Sequence, residues 1–298
     1  MKIWIHHKAL AGVNNDLLWP GALYGSKRLQ EMNYQLGCDP SRLSDRQKAL
    51  LDNEQIRFAG FHEEEADARI ILDEKSGQLQ LQTGGEPSAA GTDWIVLTRD
   101  FLFPNRTVTH SRKSSETDIE ISLNLDGSGE NDIDTGLKFF NHMLEQIARH
   151  GLIDLKIRCA GDLDVDEHHT IEDVAITLGE ALYKVCGTDK TGIQRYGFLL
   201  AMDESQAEVA LDLSNRPYLV WNADFSREYA GDFPLDMAEH FFHSLAMNLR
   251  ATLQVRVEGQ NDHHKIESIF KGFAKALRFA VTRTERAKGL LPSSKGRL

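Results

Sequence analysis

One short motif occurs twice in the chain and carries side chains that could bind metal. The two copies are His168-His169-x-x-Glu172 and His263-His264-x-x-Glu267. On a helix, residues three and four positions apart share a face, so each glutamate would lie beside both histidines of its own copy. Neutral imidazole and carboxylate are ligands that divalent transition metals take in catalytic sites. The doubled motif therefore predicts a metalloenzyme with two metal positions.

The two motifs belong to a longer internal repeat. Residues 142–161 align without a gap on residues 240–259, at an offset of 98. The loop before the second motif is shorter, so the two His-His pairs are 95 residues apart. The repeat predicts two copies of one structural unit, in which His142 and His240 occupy equivalent positions. The predicted metal ligands then form two sets of four: His142, His168, His169, Glu172, His240, His263, His264 and Glu267.

A second group of candidate residues could bind an anion. Arginine offers a forked set of donors that suits phosphate, lysine offers a point charge, and a Ser-Ser-Lys-Gly tail offers hydroxyl and backbone N–H groups. The residues are Arg195, Arg216, Lys271, Ser293, Ser294 and Lys295. From the residue types alone, a phosphate site and a set of solvated surface charges are equally open. Glu116 lies just before a predicted strand, and its position alone allows two roles, a general base or a surface carboxylate.

The composition is typical of a soluble globular protein. Hydrophobic residues make up 41% of the chain and charged residues 27%, and the net charge of -11 argues against a general nucleic-acid binder. The three cysteines are too few and too scattered for a disulfide framework or a cysteine-rich zinc site. We find neither a secretory signal nor a long apolar run, so we expect a cytoplasmic protein with no membrane partner.

The patterning changes near residue 105. Residues 1–105 read as a small α/β region, in which a capping box predicts a helix start at Ser44. Here the pattern predicts helices at 25–37 and 44–56, a hairpin of 69–72 with 78–81, a loop at 84–91 and a strand at 94–97. From residue 106 it predicts helices at 137–149, 171–185, 236–250 and 267–282, and strands at 117–125, 152–159, 197–213 and 251–257. A turn or bulge without assigned chemistry is predicted at Asp203-Glu204.

Several segments of the second region together resemble imidazoleglycerol-phosphate dehydratase of histidine biosynthesis. The match runs over about residues 106–298 in the family's order and without large gaps, and the segments lie at 112–117, 135–144, 161–173, 215–217, 261–271 and 292–296. The resemblance implies an α/β fold, a duplicated α+β sandwich in which each half is a sheet layer backed by helices. The two halves would be residues 106–195 and 196–298.

The same resemblance implies an activity, a cofactor and an assembly. The enzyme would be a hydro-lyase that converts imidazole glycerol phosphate to imidazole acetol phosphate through an imidazolate held by two manganese (Mn2+) ions per active site. The chains would form a homo-oligomer of twenty-four, with active sites between subunits. One metal would take His142, His169, His264 and Glu267, and the other would take His168, Glu172, His240 and His263.

The resemblance also implies roles for the remaining candidates. Glu116 matches a substrate-contacting glutamate. The residues that match substrate and phosphate contacts are Arg195, Arg216, Lys271, Ser293 and Lys295. Three carboxylates could move protons, namely Glu116, Glu172 and Glu267. We favour Glu116, because it is not needed as a metal ligand.

The N-terminal region leaves more than one interpretation open. Some relatives carry an N-terminal histidinol-phosphate phosphatase domain whose nucleophile loop reads Asp-x-Asp-x-Thr, and residues 1–105 lack this motif. Residues 94–106 nevertheless resemble the junction in the fused proteins. Four interpretations stay open: a degenerate phosphatase-like domain, a replaced domain, an extension that decorates the oligomer, and an artefact of gene structure. The whole protein has three alternative functions: a binuclear metallohydrolase of a phosphorylated small molecule, a bifunctional enzyme with residual phosphatase activity, and a non-catalytic metal-binding assembly.

Overall fold

The computed structural model describes residues 1–11, 16–187, 190–287 and 290–295. The chain divides into two compact units, Met1–Pro104 and Asn105–Leu298. Each unit has a hydrophobic core of its own. Among the helices that the structure describes, none is long and apolar enough to cross a lipid bilayer.

The N-terminal unit is built on one five-stranded sheet. Its elements in chain order are β1 (Lys2–Ile5), α1 (His7–Ala11), α2 (Ala22–Glu31), β2 (Gln35–Gly37), α3 (Asp45–Asn53), β3 (Ala68–Asp73), β4 (Gln78–Thr83), β5 (Glu86–Gly91) and α4 (Trp94–Leu102). The strand order is β2-β1-β3-β4-β5, with β1 parallel to both neighbours and β4 antiparallel to β3 and β5. The predicted hairpin is confirmed as β3–β4. The predicted capping box is also confirmed, since Ser44 Oγ accepts from the Gln47 backbone N–H at 3.3 Å and Gln47 Oε1 accepts from the Ser44 N–H at 2.9 Å.

Three predictions for this unit are wrong. The predicted strand at 94–97 is the start of α4, because Asp93 Oδ1 accepts from the backbone N–H groups of Ile95 (2.8 Å) and Val96 (2.9 Å) and caps the helix. The predicted loop at 84–91 contains strand β5 at the sheet edge. The first predicted helix extends too far, because Asn33 takes a φ of 63° and the chain then enters β2.

The C-terminal unit contains two four-stranded sheets, one two-stranded sheet and four long helices in its described part. Its elements are β6 (Thr107–Lys113), β7 (Thr117–Asn124), β8 (Asn131–Asp134), α5 (Lys138–Gly151), β9 (Asp154–Gly161), α6 (His168–Cys186), β10 (Tyr196–Met202), β11 (Ser205–Asp212), β12 (Tyr218–Asn222), β13 (Tyr229–Ala230), β14 (Phe233–Pro234), α7 (Met237–Leu249), β15 (Thr252–Glu258) and α8 (Asp262–Val281). Strands β6 and β8 were not predicted from the sequence, because neither has a fully buried position that would give a strong apolar alternation.

The two four-stranded sheets of this unit have the same topology. Their strand orders are β6-β7-β9-β8 and β10-β11-β15-β12, and in each sheet the last pair is parallel and the others are antiparallel. The register extends the sequence repeat, because Asn124 pairs with Asp154 where Asp212 pairs with Thr252. Counting back along β7 and β11 from these pairs places Glu116 and Glu204 at equivalent positions, in the turns before the two strands.

The helices lie between the two sheets. Helices α5 and α6 pack on the first sheet and α7 and α8 on the second, while α6 contacts α7 and α5 contacts α8. The strands β7, β11 and β15 alternate buried and exposed residues, so each sheet buries one face against the helices and exposes the other. The predicted fold class, an α/β sandwich of sheets backed by helices, is confirmed.

The helices that carry the doubled motif begin earlier than predicted. Helix α6 begins at His168 and α8 at Asp262, rather than at residues 171 and 267. Side chains just before the helices accept hydrogen bonds from the first turn, since Asp166 Oδ1 accepts from the His168 N–H (2.8 Å) and Asn261 Oδ1 from the His263 N–H (3.0 Å). Both His-His pairs therefore stand on the first turn of a rigid helix.

Candidate metal centre

Two clusters of histidine and glutamate lie at the starts of α6 and α8. Within each cluster the three possible ligand atoms all lie within 4.8 Å of one another. The clusters are His168 with Glu172 and His240, and His142 with His263 and Glu267. Both have the mixed nitrogen and oxygen donors that suit a divalent transition metal.

In the first cluster a single carboxylate faces two imidazole rings. Glu172 Oε2 lies 3.5 Å from His168 Nε2, and Glu172 Oε1 lies 3.3 Å from His240 Nε2. His168 and Glu172 stand one turn apart on α6, as their spacing predicted. His240 comes from α7, so this cluster forms because α6 and α7 pack together.

The second cluster repeats this arrangement with the roles of the two halves exchanged. Glu267 Oε2 lies 3.1 Å from His263 Nε2 and 3.8 Å from His142 Nε2. His263 and Glu267 stand on α8, and His142 stands on α5. Each cluster thus takes two ligands from one repeat and one from the other, and neither repeat completes a cluster alone.

Glu267 is held in its ionised form, the form that binds metal. Burial acts to raise its pKa, but the hydrogen bond and the charge of Lys271 outweigh burial and lower the pKa of Glu267. Lys271 Nζ lies 2.8 Å from Glu267 Oε1. Lys271, which the sequence analysis assigned to the substrate, is thus placed beside the second cluster.

The second histidine of each pair stands outside these clusters. His169 Nδ1 lies 3.1 Å from Asp162 Oδ2, and its Nε2 lies 3.7 Å from Glu116 Oε1. His264 Nδ1 lies 2.8 Å from Glu204 Oε2. The hydrogen bond with Asp162 raises the pKa of His169, and the one with Glu204 raises the pKa of His264. In return, the hydrogen bond with His264 lowers the pKa of Glu204 to about 2.

One chain brings together only part of each implied ligand set. Three members of one implied set meet in the first cluster, namely His168, Glu172 and His240. The fourth member, His263, lies against Glu267 in the second cluster. Of the other set, His142 and Glu267 meet, whereas His169 and His264 do not reach them among the described residues. The division of the eight ligands between two metals therefore stays a prediction.

Asp162 and Glu204 were missed by the sequence analysis. Both contact a histidine of the doubled motif, yet neither belongs to the motif. Glu204 could have been found from Glu116, because the two glutamates occupy equivalent positions in the repeat. That equivalence becomes visible only from the strand register, since the sequence alignment of the repeat starts later in the chain. Asp162 has no carboxylate at its repeat position, which is Gln260.

The two candidate phosphate arginines are brought together by one carboxylate. Arg195 Nε lies 2.8 Å and Arg216 Nη2 3.2 Å from the same oxygen, Asp212 Oδ2. Both guanidinium groups are more than half exposed, so they remain accessible to an anion. In the tail, the Lys295 N–H donates to Ser293 Oγ (3.3 Å), and Ser294 is exposed. Within the described ranges the tail makes no hydrogen bond or ion pair with the two arginines.

Comparison with known proteins agrees with this architecture. A model of the family described as imidazoleglycerol-phosphate dehydratase matches residues 135–277, which include both clusters. The imidazoleglycerol-phosphate dehydratase of Neisseria meningitidis serogroup C is 44% identical over 227 residues, which cover 76% of this chain and 70% of that protein.

The chain belongs to the imidazoleglycerol-phosphate dehydratase family.

A solved member of the imidazoleglycerol-phosphate dehydratase family has the same fold. The crystal structure of the enzyme from Staphylococcus aureus is 35% identical, with a TM-score of 0.53, and the match covers 59% of this chain and 100% of that one. The histidine biosynthesis bifunctional protein HisB of Spirosoma linguale is 48% identical over 231 residues, covering 78% of this chain and 58% of that protein. The chain thus spans less than two thirds of the length of this curated relative. A match of 231 residues is longer than the C-terminal unit, so it includes part of the N-terminal one.

Proposed function

We propose that the C-terminal unit dehydrates imidazole glycerol phosphate to imidazole acetol phosphate in histidine biosynthesis, in the cytoplasm. The observation that carries this proposal is the pair of His/Glu clusters, each completed by both repeats. Membership of the dehydratase family supports the choice of substrate.

The ligand residues fit two manganese ions. Each cluster offers imidazole nitrogen and carboxylate oxygen in one small volume. Apart from its 3.3 Å contact with Glu172 Oε1, His240 Nε2 is buried without a hydrogen-bond partner among the described residues. A buried nitrogen of this kind is satisfied by a metal; imidazole suits divalent transition metals, and the carboxylate oxygens suit manganese. When bound, the two ions would act as Lewis acids that stabilise negative charge on the substrate's imidazole ring.

The remaining ligands are available to a second copy of the chain. His169 and His264 each have Nδ1 occupied by a carboxylate and Nε2 outside the clusters of their own chain. We therefore place the complete four-ligand sites between copies of the chain, and the family resemblance implies that the homo-oligomer has twenty-four of them. In this arrangement assembly is a condition of activity.

The chain's own residues supply the proton chemistry and hold the phosphate. Dehydration removes a hydroxyl group from the carbon attached to the ring and a proton from the next carbon. That proton is weakly acidic, so an ionised carboxylate has to take it. We assign this role to Glu116, whose side chain is about half exposed and stands 3.7 Å from His169 Nε2. The phosphate would be bound by Arg195, Arg216, Lys271, Ser293, Ser294 and Lys295.

One assay tests this function against its alternatives. The protein loaded with manganese is incubated with imidazole glycerol phosphate, and both the ketone product and free phosphate are measured. Ketone without phosphate supports the dehydratase, phosphate release indicates a metallohydrolase, and neither product indicates a binding protein. The same measurement with histidinol phosphate tests the N-terminal unit for residual phosphatase activity.

A further inference from the structure

Glu204 uses both of its carboxylate oxygens in the turn between β10 and β11. Oε2 lies 2.8 Å from His264 Nδ1, and Oε1 accepts from the backbone N–H of Asn261 at 2.8 Å and from Ser205 Oγ at 3.1 Å. Asn261 is also the cap of α8. Glu204 thus joins the turn to the start of the helix that carries His263 and His264.

This contact decides which nitrogen of His264 can bind a metal. An ionised carboxylate only accepts hydrogen bonds, so Nδ1 has to carry the proton that it donates to Glu204. The lone pair of the neutral ring is then on Nε2. A metal binds the nitrogen that has no proton, and the partner of the other nitrogen fixes the tautomer.

In the first repeat the corresponding histidine, His169, also has a carboxylate at Nδ1, but that carboxylate is not the repeat equivalent of Glu204. His169 Nδ1 is bound by Asp162, whose two oxygens lie 3.2 and 3.1 Å away. The repeat equivalent of Glu204 is Glu116, and it faces Nε2 of His169 rather than Nδ1. In the first repeat Asp162 therefore fixes the tautomer of His169, and Glu116 does not have this role.

We propose that Glu204 is a positioning residue that holds His264 with Nε2 as its metal-binding atom, while its repeat equivalent Glu116 is free to transfer protons because Asp162 orients His169. The proposal rests on the metal site of the proposed function. It assigns different roles to two glutamates that the fold places at equivalent positions.

The substitution Glu204→Gln is the sharpest test of this role. Glutamine has one accepting oxygen, whereas Glu204 accepts from both His264 and the Asn261 N–H. A backbone N–H cannot move its proton, but an imidazole can, so the oxygen stays with Asn261 and the amide NH2 faces His264 Nδ1. The ring then carries its proton on Nε2, where it blocks metal binding.

Three further variants serve as controls. Glu204→Ala removes the carboxylate but lets water face Nδ1, so both tautomers remain accessible. Asp162→Asn can turn its oxygen toward His169, because both Asp162 oxygens face the same nitrogen. Glu208→Gln removes the same charge from an exposed position on β11.

The measurement is manganese binding to the full-length protein without substrate, together with the melting temperature. We expect Glu204→Gln to lower manganese affinity by about 10- to 100-fold, more than Glu204→Ala or Asp162→Asn does, while Glu208→Gln stays near wild type. Wild-type affinity in Glu204→Gln, or a larger loss in Glu204→Ala, would overturn the positioning role and indicate a contact that only stabilises the turn. Wild-type protein that binds no manganese would instead overturn the metal site of the proposed function.

Discussion

At the scale of single residues, Glu116 is held in place by its own turn. Ser114 Oγ accepts from the Glu116 N–H at 3.1 Å, and Thr117 Oγ1 donates to Asp173 Oδ2 at 2.6 Å. Asp173 follows Glu172 on α6, so the turn is fixed to the helix of the first cluster. The side chain of Glu116 is thus presented to His169 at the start of that helix, and it belongs to neither cluster.

We expect Glu116→Gln to lower turnover by about 10²- to 10⁴-fold, because an amide cannot accept the substrate's proton. Manganese content should not change, because Glu116 is not a predicted ligand. The measurement is the rate of ketone formation together with the bound metal per chain, and Glu120→Gln at an exposed position on β7 is the matched control. Full turnover with unchanged metal content would move the role to another carboxylate, such as Glu172.

At the scale of secondary-structure elements, the first cluster depends on a close approach of α6 and α7. A Cβ atom at Gly179 on α6 would lie 2.8 Å from the Leu245 carbonyl oxygen and 2.9 Å from Asn248 Cβ, both on α7. Only glycine allows this distance, because a backbone atom of the facing helix cannot move aside. The contact brings His240 of α7 to Glu172 of α6.

The substitution Gly179→Ala should therefore push the two helices apart. We expect it to lower the free energy of unfolding by about 1 to 3 kcal/mol, the usual cost of overpacking, and to weaken metal binding at the first cluster. Gly197→Ala on β10 is the control, since a Cβ atom there would meet nothing closer than the Val209 carbonyl oxygen at 3.7 Å, an ordinary van der Waals contact. Chemical denaturation and metal titration measure the two effects, and equal stability of both variants would contradict this account of the contact.

A second element-scale contact ties the first strand of the C-terminal unit to its last helix. Asp126, after β7, accepts from Arg106 Nη2 at 2.7 Å and from Arg283 Nη2 at 3.0 Å, and Arg106 Nη2 also donates to the Val281 carbonyl at 2.9 Å. Burial acts to raise the pKa of Asp126, but the hydrogen bonds and charge of Arg106, with the charge of Arg283, outweigh it and lower the pKa.

This lowered pKa predicts a pH-dependent contribution to stability. A carboxyl group with a lowered folded pKa stabilises the fold above the unfolded value of about 3.9, and the contribution is lost as the pH falls through the folded value. We expect Asp126→Asn to lower the free energy of unfolding at pH 7 by about 2 kcal/mol, as for a partly buried charged pair. The difference from wild type should shrink between pH 5 and pH 3, and a difference that stays constant down to pH 3 would argue against ionisation as its source.

At the scale of the whole molecule, the dehydratase architecture occupies one of two compact units. The C-terminal unit has its own core. The structural match to the Staphylococcus aureus enzyme includes the whole of that enzyme's chain and 59% of this chain. The bifunctional relative also matches part of the N-terminal unit, so residues 1–105 contain sequence in common with a longer protein of the same pathway. The role of the N-terminal unit stays open among the interpretations of its sequence.

We expect residues 105–298 to fold alone and to keep the dehydratase activity. Both clusters and all proposed phosphate contacts lie within this unit, and its core does not include residues of the other. Circular dichroism, thermal melting and manganese-dependent ketone formation would be compared with those of the full chain. A fragment that folds but is inactive beside an active full chain would make the N-terminal unit part of the catalytic assembly.

The sequence by itself determined the residue types of the site and their local order. Helical spacing placed Glu172 beside His168 and Glu267 beside His263, because neighbours one turn apart depend only on local geometry. The repeat established that His142 and His240 are equivalent, and the structure confirms that each cluster takes one of them. Local patterning failed at residues 94–97, where the Asp93 cap and the burial of Trp94 favour a helix over the predicted strand.

The tertiary structure alone decided which of these residues meet. His240 reaches Glu172, and His142 reaches Glu267, because α6 packs on α7 and α5 packs on α8, contacts between residues distant in the chain. The same packing left His169 and His264 outside the clusters and assigned carboxylates to their Nδ1 atoms. The doubled His-His-x-x-Glu motif specifies the candidate ligands on each helix, whereas the packing of helices from opposite repeats brings them together into the two clusters.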